Sequence, residues 1–391
     1  MPEGTLRNSV AIVGVGESDI GKVPGMTGLG LNAQAAMRAL EETGLKPSDI
    51  DGLLTAYSFT EPYFMLGSVM CEYLGITPRF NASVIVGGGS PAVMLKHAAE
   101  AIAMGQAETV LICAGENRAT GTSRDAAIAA LLAVGHPYYE QPYGFSIPAF
   151  YAMIAQRYMH KYGLSREELA HIPAVTRSNA LLHPNAHMKK PITPEDVLAS
   201  KPIADPLNML DCCLISDAGG AMIVTSPERA KDLKGQPIYL HGIGEHHTHE
   251  HLMCAPSLTE FGARESSRIA YDMAGLGPQD MDFAELYDCF SIVPLLEFEE
   301  LGLGKDGEGI EHWISGKAKV GGSLPINTHG GMLSHAHAGA AGGLFGIVEA
   351  VRQLRRGLEK RQVKDAEVGI VHNEGGILSS HCTLILGREP R

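Results

Sequence analysis

The chain is poor in cysteine, tryptophan and basic charge. Its 391 residues hold seven cysteines and one tryptophan. The cysteines are unevenly placed, with Cys212 and Cys213 adjacent, which opposes both a disulfide framework and a paired Cys-x-x-Cys zinc site and fits a reduced, cytoplasmic setting. Lys and Arg number 31 against 44 Asp and Glu, a formal charge of −13, which opposes a general affinity for nucleic-acid backbones or anionic lipid. No run approaches the roughly 18 apolar residues of a membrane span. Met1 to Ser9, with Glu3 and Arg7 and no apolar stretch, shows no secretory leader. The expectation is a cytoplasmic protein with no nucleic-acid partner and no membrane span.

What is present argues for a packed globular chain. Hydrophobic residues make up 45% and charged residues 19%, far from the composition of disorder. The length suits two units or one large duplicated unit, at roughly 100–200 residues per domain. Glycine is in excess, 46 residues where about 7% is usual. Many backbone positions therefore need positive φ or close approach.

The run Val10–Val15 reads as a buried strand, and the Ala- and Leu-rich stretch 30–42 as a helix ending near Gly44. The loop Gly44-Leu45-Lys46-Pro47-Ser48-Asp49-Ile50-Asp51 then leads into an apolar strand. Nearly the same phrase recurs as Gly275-Leu276-Gly277-Pro278-Gln279-Asp280-Met281-Asp282, again after a helical stretch and before an apolar run. A second echo pairs Ala107-Glu108 and the strand 109–113 with Ala366-Glu367 and the strand 368–372. Two related halves follow, residues 1–237 and 238–391, each of strand–helix–strand order and hence a mainly parallel, helix-covered sheet. The first half carries an insertion of about 117–205, opened in part by a Ser165-x-x-Glu168 capping box. Such insertions often cover ligand sites. Gly14-Val15-Gly16 lacks the downstream acid of a dinucleotide fingerprint.

Four segments carry candidate chemistry. Val86-Gly87-Gly88-Gly89-Ser90 precedes a helix and offers either an N–H cradle for an oxyanion or a tight packing turn. Glu285-Leu286-Tyr287-Asp288-Cys289-Phe290 falls at the carboxyl end of a strand, where open α/β sheets bind ligands. Tyr287 can exchange a proton with a reacting oxygen, and Cys289 can act as nucleophile or acid. The loop 327–340 holds Gly330-Gly331, His335 and His337, the histidines being natural proton shuttles. His372-Asn373-Glu374-Gly375-Gly376 offers a second backbone cradle. No metal site is expected. The cluster His246-His247-Thr248-His249-Glu250-His251 has no HExxH spacing, and the His335/His337 pair lacks accompanying ligands.

Taken in order, these segments resemble the thiolase superfamily, and within it the sterol-carrier-type thiolases and steroid side-chain aldolases. The resemblance spans nearly the whole chain and rests on the duplicated phrase, Asp211-Cys212-Cys213 with Ser216-Asp217-Ala218-Gly219, the Tyr287-Asp288-Cys289-Phe290 tetrad, the Asn327-Thr328-x-Gly330-Gly331 loop and the His372–Gly376 motif. It implies an α/β, duplicated, five-layered αβαβα fold with two mixed, mainly parallel sheets, in a homodimer. It also implies a pocket in which Val86, Gly87, Gly89, Gly331, His335, Asn373, Gly375 and Gly376 surround the thioester. Thiolases carry a cysteine where this chain has Val86, and sterol-carrier-type enzymes a histidine where it has Tyr287. Tyrosine there resembles the aldolases, which form no acyl-enzyme. The resemblance then makes Tyr287 the base on a β-hydroxyl and His337 the partner of the thioester oxygen, with Ala336 and Ala338 replacing the usual flanking Gly and Pro.

Three readings remain open from the sequence. The first is retro-aldol cleavage of a β-hydroxyacyl-CoA with a bulky, steroid-like tail. The second is an acetyl-CoA acetyltransferase using Cys289 as nucleophile, and the third a non-catalytic acyl-CoA-binding or scaffold subunit. All take a coenzyme A thioester as ligand with no other cofactor, and the aldolase resemblance implies a zinc-ribbon/OB-fold companion protein.

Overall fold

The computed structural model describes residues 6–132 and 134–391. The first five residues of the segment considered for a leader lie outside the described residues. The strands are β1 (Ala11–Glu17), β2 (Gly52–Ala56), β3 (Phe80–Val84), β4 (Thr109–Asn117), β5 (Pro202–Ala204), β6 (Leu207–Asn208), β7 (Asp217–Thr225), β8 (Ile238–His247), β9 (Phe283–Glu285), β10 (Val368–Gly375) and β11 (Ser380–Gly387). Apart from the β5–β6 ribbon they form one sheet in the order β3-β2-β4-β7-β1-β8-β11-β10-β9.

The two expected sheets are the two ends of this one. They join through a short antiparallel pairing of β1 with β8, Ala11 opposite Tyr239 and Ile12 opposite Ile238. β8 begins at Ile238, where the sequence repeat restarts. Each half curls away from this seam, so that the helices Ser90–Ala103 and Gly342–Arg355 lie between the halves in one core with Leu54, Ile112, Leu240 and Leu384. Helix Gly28–Thr43 covers the outer face of the first half through Ala35, Ala36 and Leu40, and helix Ala263–Ala274 that of the second through Ala270 and Ala274. Five layers, αβαβα, result.

Parallel pairing is confined to β2–β3, β2–β4 and β9–β10. Helical crossovers link β2 to β3, β3 to β4 and β9 to β10. The inner pairs β4–β7, β7–β1, β8–β11 and β10–β11 are antiparallel, which a short turn such as the one after Gly375 can join. The parallel share is therefore smaller than strand–helix–strand order suggests.

The duplicated phrase does the same physical work twice. Gly44 and Gly275 end the preceding helices in the left-handed region, at φ of 76° and 67°. Asp49 and Asp280 each accept the N–H three residues upstream at 2.8 Å, closing a one-turn 3-10 helix. The last aspartate then ties two strands together. Asp51 accepts the Glu108 and Thr109 N–H groups at 2.9 Å, while Asp282 accepts those of Glu367 and Val368 at 2.8 and 2.9 Å. The second echo, Ala107-Glu108 and Ala366-Glu367, is thus the other end of the same contact. Gly14 and Gly16 have a structural role: a Cβ on Gly16 would lie 2.2 Å from the Ala35 carbonyl of the covering helix, and one on Gly244 would lie 1.9 Å from that of Ser266.

The insertion leaves the sheet after Asn117 and returns at Asp217, later than the sequence suggests, because Asp211–Ser216 is fastened to the second half instead. Cys213 N–H donates to the Cys289 carbonyl at 2.9 Å and Leu214 N–H to that of Met332 at 3.0 Å. The Ser165–Glu168 capping box is present. Among the described residues no helix is long and apolar enough to cross a membrane.

Buried ion pairs lock the halves together. Glu17, at the end of β1, receives Arg352 at 2.6 Å and His335 at 3.0 Å, which hold its carboxyl well below the usual carboxylate range despite burial. Arg352→Met strands this charge and is expected to lower the unfolding free energy at pH 7 by about 3 kcal/mol. Because the native pKa is depressed, the native protein's advantage over the variant is full above the ordinary carboxylate range and shrinks as pH falls through the depressed value. Urea titrations of both proteins from pH 7 down to well below the ordinary carboxylate range check this, and equal midpoints at pH 7 would contradict it.

Candidate active site

The tetrad after β9 is fixed by its backbone. Leu286 N–H donates to Asn327 Oδ1 at 2.7 Å and Tyr287 N–H to Glu297 Oε2 at 2.8 Å. Asp288 accepts the Met332 N–H at 2.6 Å. This places the Tyr287 ring directly on Gly88: a Cβ there would lie 2.0 Å from the phenol oxygen. The His337 ring stands perpendicular to that of Tyr287 with centroids 6.5 Å apart. Tyr287 is buried, His337 half-buried, and among the described residues the Tyr287 hydroxyl has no hydrogen-bond partner, so it can meet a ligand.

The two glycine segments cross at this point. A Cβ on Gly87 would lie 2.6 Å from Gly376 N, and one on Gly375 would lie 1.9 Å from the Val86 carbonyl. Gly89 backs onto the Glu374–Gly375 backbone, and Asn373 Nδ2 and the Gly88 carbonyl both press on Gly343. Asn373 Oδ1 is buried without a partner. Val86, Gly87, Gly89, Tyr287, His337, Asn373, Gly375 and Gly376 are therefore brought together at the start of helix Ser90–Ala103. Val86 occupies the turn with its N–H on Ser90 Oγ at 3.0 Å.

Two expected pocket residues lie elsewhere. Gly331 serves Asp288, whose carboxylate would meet a Cβ at 2.0 Å. His335 is fully buried against Glu17 and stacks edge-on to His183 and His329; it is the last residue of the helical turn Gly331–His335, and the chain turns to extended backbone at Ala336 before reaching His337. Glu17, His183 and His335 do present three ligand atoms within 4.8 Å of one another. Yet His183 Nδ1 accepts the Asn185 N–H, so the neutral ring carries its proton on Nε2 and offers no lone pair there, and Arg352 already supplies the counter-charge. Of the histidine-rich segment, His247 bonds Glu245, His249 the Ile377 carbonyl and His251 the Val134 carbonyl, so these rings are spent on the local fold.

The electrostatics sort the candidates. Burial pushes the Tyr287 phenol well above its ordinary pKa, and the nearby Cys289 and Glu374 add to this, so at neutral pH it is a proton-bearing phenol and not a free base. Burial and the Arg118 guanidinium hold His337 down at about 3, making it a neutral imidazole suited to hydrogen-bond an oxyanion. The Cys289 thiol is also pushed far up by burial and Glu374, and it donates to Glu374 Oε1 at 3.3 Å. A reactive thiol needs the opposite surroundings. Iodoacetamide is therefore expected to label exposed Cys254 and to leave Cys289 unmodified in the folded protein. Peptide mass spectrometry reads this directly, and early labelling of Cys289 would restore it as a nucleophile.

The residues that sequence reasoning missed are Gly88, Arg118, Asp288 and Glu374. Gly88, Asp288 and Glu374 lie inside motifs already singled out, so their neighbours were the signal. Arg118 follows β4 with nothing local to mark it. Behind Tyr287 a cavity of about 10 Å³ has room for about one water. The large open cavity, about 760 Å³, lies apart from Tyr287 and is lined by Glu17, Asp19, Lys22, Arg38, His187 and Arg352 among others.

Comparison with known proteins places this geometry. Residues 244–388 match the thiolase C-terminal domain-like family. The chain is 35% identical to a 17-hydroxy-3-oxo-4-pregnene-20-carboxyl-CoA lyase of Mycobacterium tuberculosis, over 98% of this chain and 100% of that one. The chain belongs to the thiolase superfamily. It is also 31% identical to an acetyl-CoA acetyltransferase of Methanothermobacter thermautotrophicus, over 94% of this chain and 96% of that one. The solved Ltp2-ChsH2(DUF35) aldolase superposes with a TM-score of 0.85 at 34% identity, covering 98% of both chains. Within the superfamily the chain falls in the branch of sterol-carrier-type thiolases and side-chain aldolases.

Proposed function

We propose that this chain breaks the Cα–Cβ bond of a β-hydroxyacyl-CoA by retro-aldol chemistry, releasing a shorter acyl-CoA and a carbonyl compound. The observation that carries this is the pairing of Tyr287 with Val86 in one cradle: a proton-handling hydroxyl is present and the acyl-accepting thiol is not. Retro-aldol cleavage needs a proton acceptor for the β-hydroxyl and donors for the thioester enolate, but no covalent nucleophile. The Tyr287 hydroxyl meets the β-oxygen, and the neutral His337 with the crossed glycine backbone holds the thioester oxygen as charge develops on it. Coenzyme A enters as part of the substrate, and the scheme requires no further cofactor. The names of the pregnene-carboxyl-CoA lyase and the Ltp2-ChsH2(DUF35) aldolase support a bulky, steroid-like tail and a DUF35 companion, which in this reading is the zinc-ribbon/OB-fold protein.

The chain works in this reading as a cytoplasmic homodimer. Seven free thiols fit a reducing compartment. β3 is an edge strand, and around it Tyr63, Phe64, Met65, Tyr73 and Ile85 stand exposed, an apolar face of the kind that pairs with a second copy. Intact mass spectrometry of protein quenched during turnover tests the chemistry. The protein mass is expected to stay unchanged, whereas an added acyl group on Cys289 would overturn the reading.

A further inference from the structure

Tyr287 cannot take up the substrate's proton unaided, since its surroundings oppose the phenolate and keep it a phenol. The structure points to a different holder. Glu374, near the end of β10, is 1% exposed, and among the described residues no Lys or Arg lies within ion-pair distance of it. Its Oε1 accepts the Tyr151 hydroxyl at 2.7 Å and the Cys289 thiol at 3.3 Å, and its Oε2 accepts the Leu378 N–H at 3.2 Å. A buried carboxyl without a counter-ion is costly to ionise, and the two glycines that follow it form half of the cradle. Resting on the aldolase reading, we propose that Glu374 is the proton-holding residue of the reaction, coupled to the substrate through Cys289 and Tyr287, and that Cys289 is a relay and not a nucleophile.

The step balances as follows. The β-hydroxyl O–H breaks as its proton moves to the Tyr287 oxygen. The phenol's own proton moves to the nearby Cys289 Sγ across a hydrogen bond that the free chain does not make and that substrate binding closes, and the thiol proton moves to Glu374 Oε1 along the bond already present. The carbonyl forms, the Cα–Cβ electron pair passes into the thioester enolate at His337, and the stored proton returns along the same path to Cα. No net proton is gained or lost. Burial brings the Glu374 carboxyl up to about 7, so near neutrality it can both accept and return a proton.

Several titratable groups act on Glu374. Tyr151 comes from helix Ile147–Tyr162, and Tyr287 and Cys289 from the segment after β9. Cys213, from the insertion, and Tyr57, just after β2, lie near enough to feel the Glu374 charge. Glu297 comes from helix Ile292–Glu300, and His381 stands opposite on β11. His372, two residues away on the same strand, and His381 are both held neutral by burial. Tyr151 bonds Oε1 and the Gly376 carbonyl while stacking on Phe290, and it also stands within hydrogen-bond reach of the Cys289 thiol. It is a positioning residue that lowers the Glu374 pKa.

The test is the pH dependence of kcat/KM for cleavage of β-hydroxyacyl-CoAs by the full chain, alone and with its companion. The unmodified protein is expected to lose activity below an acid limb near pH 7. Tyr151→Phe, which removes one donor to the carboxylate, should move that limb up by about one pH unit. Glu374→Gln should abolish the limb and lower kcat at least 100-fold, and Glu374→Asp should retain a limb at reduced rate. A limb unchanged in Tyr151→Phe, or one retained in Glu374→Gln at near-native rate, overturns Glu374 while leaving the aldolase reading intact. Failure of the unmodified protein to cleave any β-hydroxyacyl-CoA overturns both.

Discussion

Tyr287→Phe is expected to lower kcat for β-hydroxyacyl-CoA cleavage about 1000-fold, within the usual range for loss of a proton-transferring group, with KM changed by less than a few-fold. The ring remains seated on Gly88, where a Cβ would lie 2.0 Å from the hydroxyl oxygen, and the Tyr287 N–H still donates to Glu297. Only the O–H is removed, and among the described residues it has no partner to leave stranded. The melting temperature should therefore stay within a few degrees of the native value. Undiminished turnover in this variant would remove Tyr287 from the chemistry. A large fall in melting temperature would show that the hydroxyl serves the fold.

Gly375→Ala is expected to be the most damaging small substitution at the site. The added Cβ would lie 1.9 Å from the Val86 carbonyl oxygen, 2.8 Å from its carbon and 3.1 Å from Gly87 Cα. All three are backbone atoms, so no side chain can rotate to make room, and the two crossed segments must separate. A shift of about 1 Å at reacting groups costs on the order of 100-fold in rate, and forced overpacking destabilises by about 1–3 kcal/mol. Gly346 provides the contrast. It lies within helix Gly342–Arg355 with its nearest neighbour, Glu285 Cβ, at 3.4 Å. Gly346→Ala should leave activity near native and raise stability by up to about 1 kcal/mol. Thermal melts and initial rates of the two variants check the pair, and equal behaviour would contradict the crossed-cradle account.

The parts of this molecule that the sequence discloses are those made by neighbours along the chain. The phrase 44–51 and its copy 275–282 each hold a helix stop, a one-turn helix and a strand tie, so the duplication is legible without coordinates. The site motifs are legible for the same reason, being short loops that follow strands. Sequence does not disclose which side chains face which way at the 334–337 turn, so His335 and His337 look alike until one is seen with Glu17 and the other beside Tyr287. Nor does it disclose the β1–β8 seam, a two-pair contact between residues more than two hundred positions apart. Glu374 shows the same limit. Its motif was visible, but its lack of a cation and its bond to Cys289 depend on packing between β10, the tetrad and helix Ile147–Tyr162.

Those packing facts also separate the chain from the thiolase pattern it otherwise follows. With Val86 in the acyl-accepting position and Cys289 held protonated by a carboxylate, the cradle is left to stabilise an enolate without capturing an acyl group. The most direct test is to supply a bulky β-hydroxyacyl-CoA with no free coenzyme A and to quantify both products by mass spectrometry. The account predicts a carbonyl compound and a shorter acyl-CoA in one-to-one amounts. Turnover only of a β-ketoacyl-CoA, with one coenzyme A consumed per cycle, would contradict it.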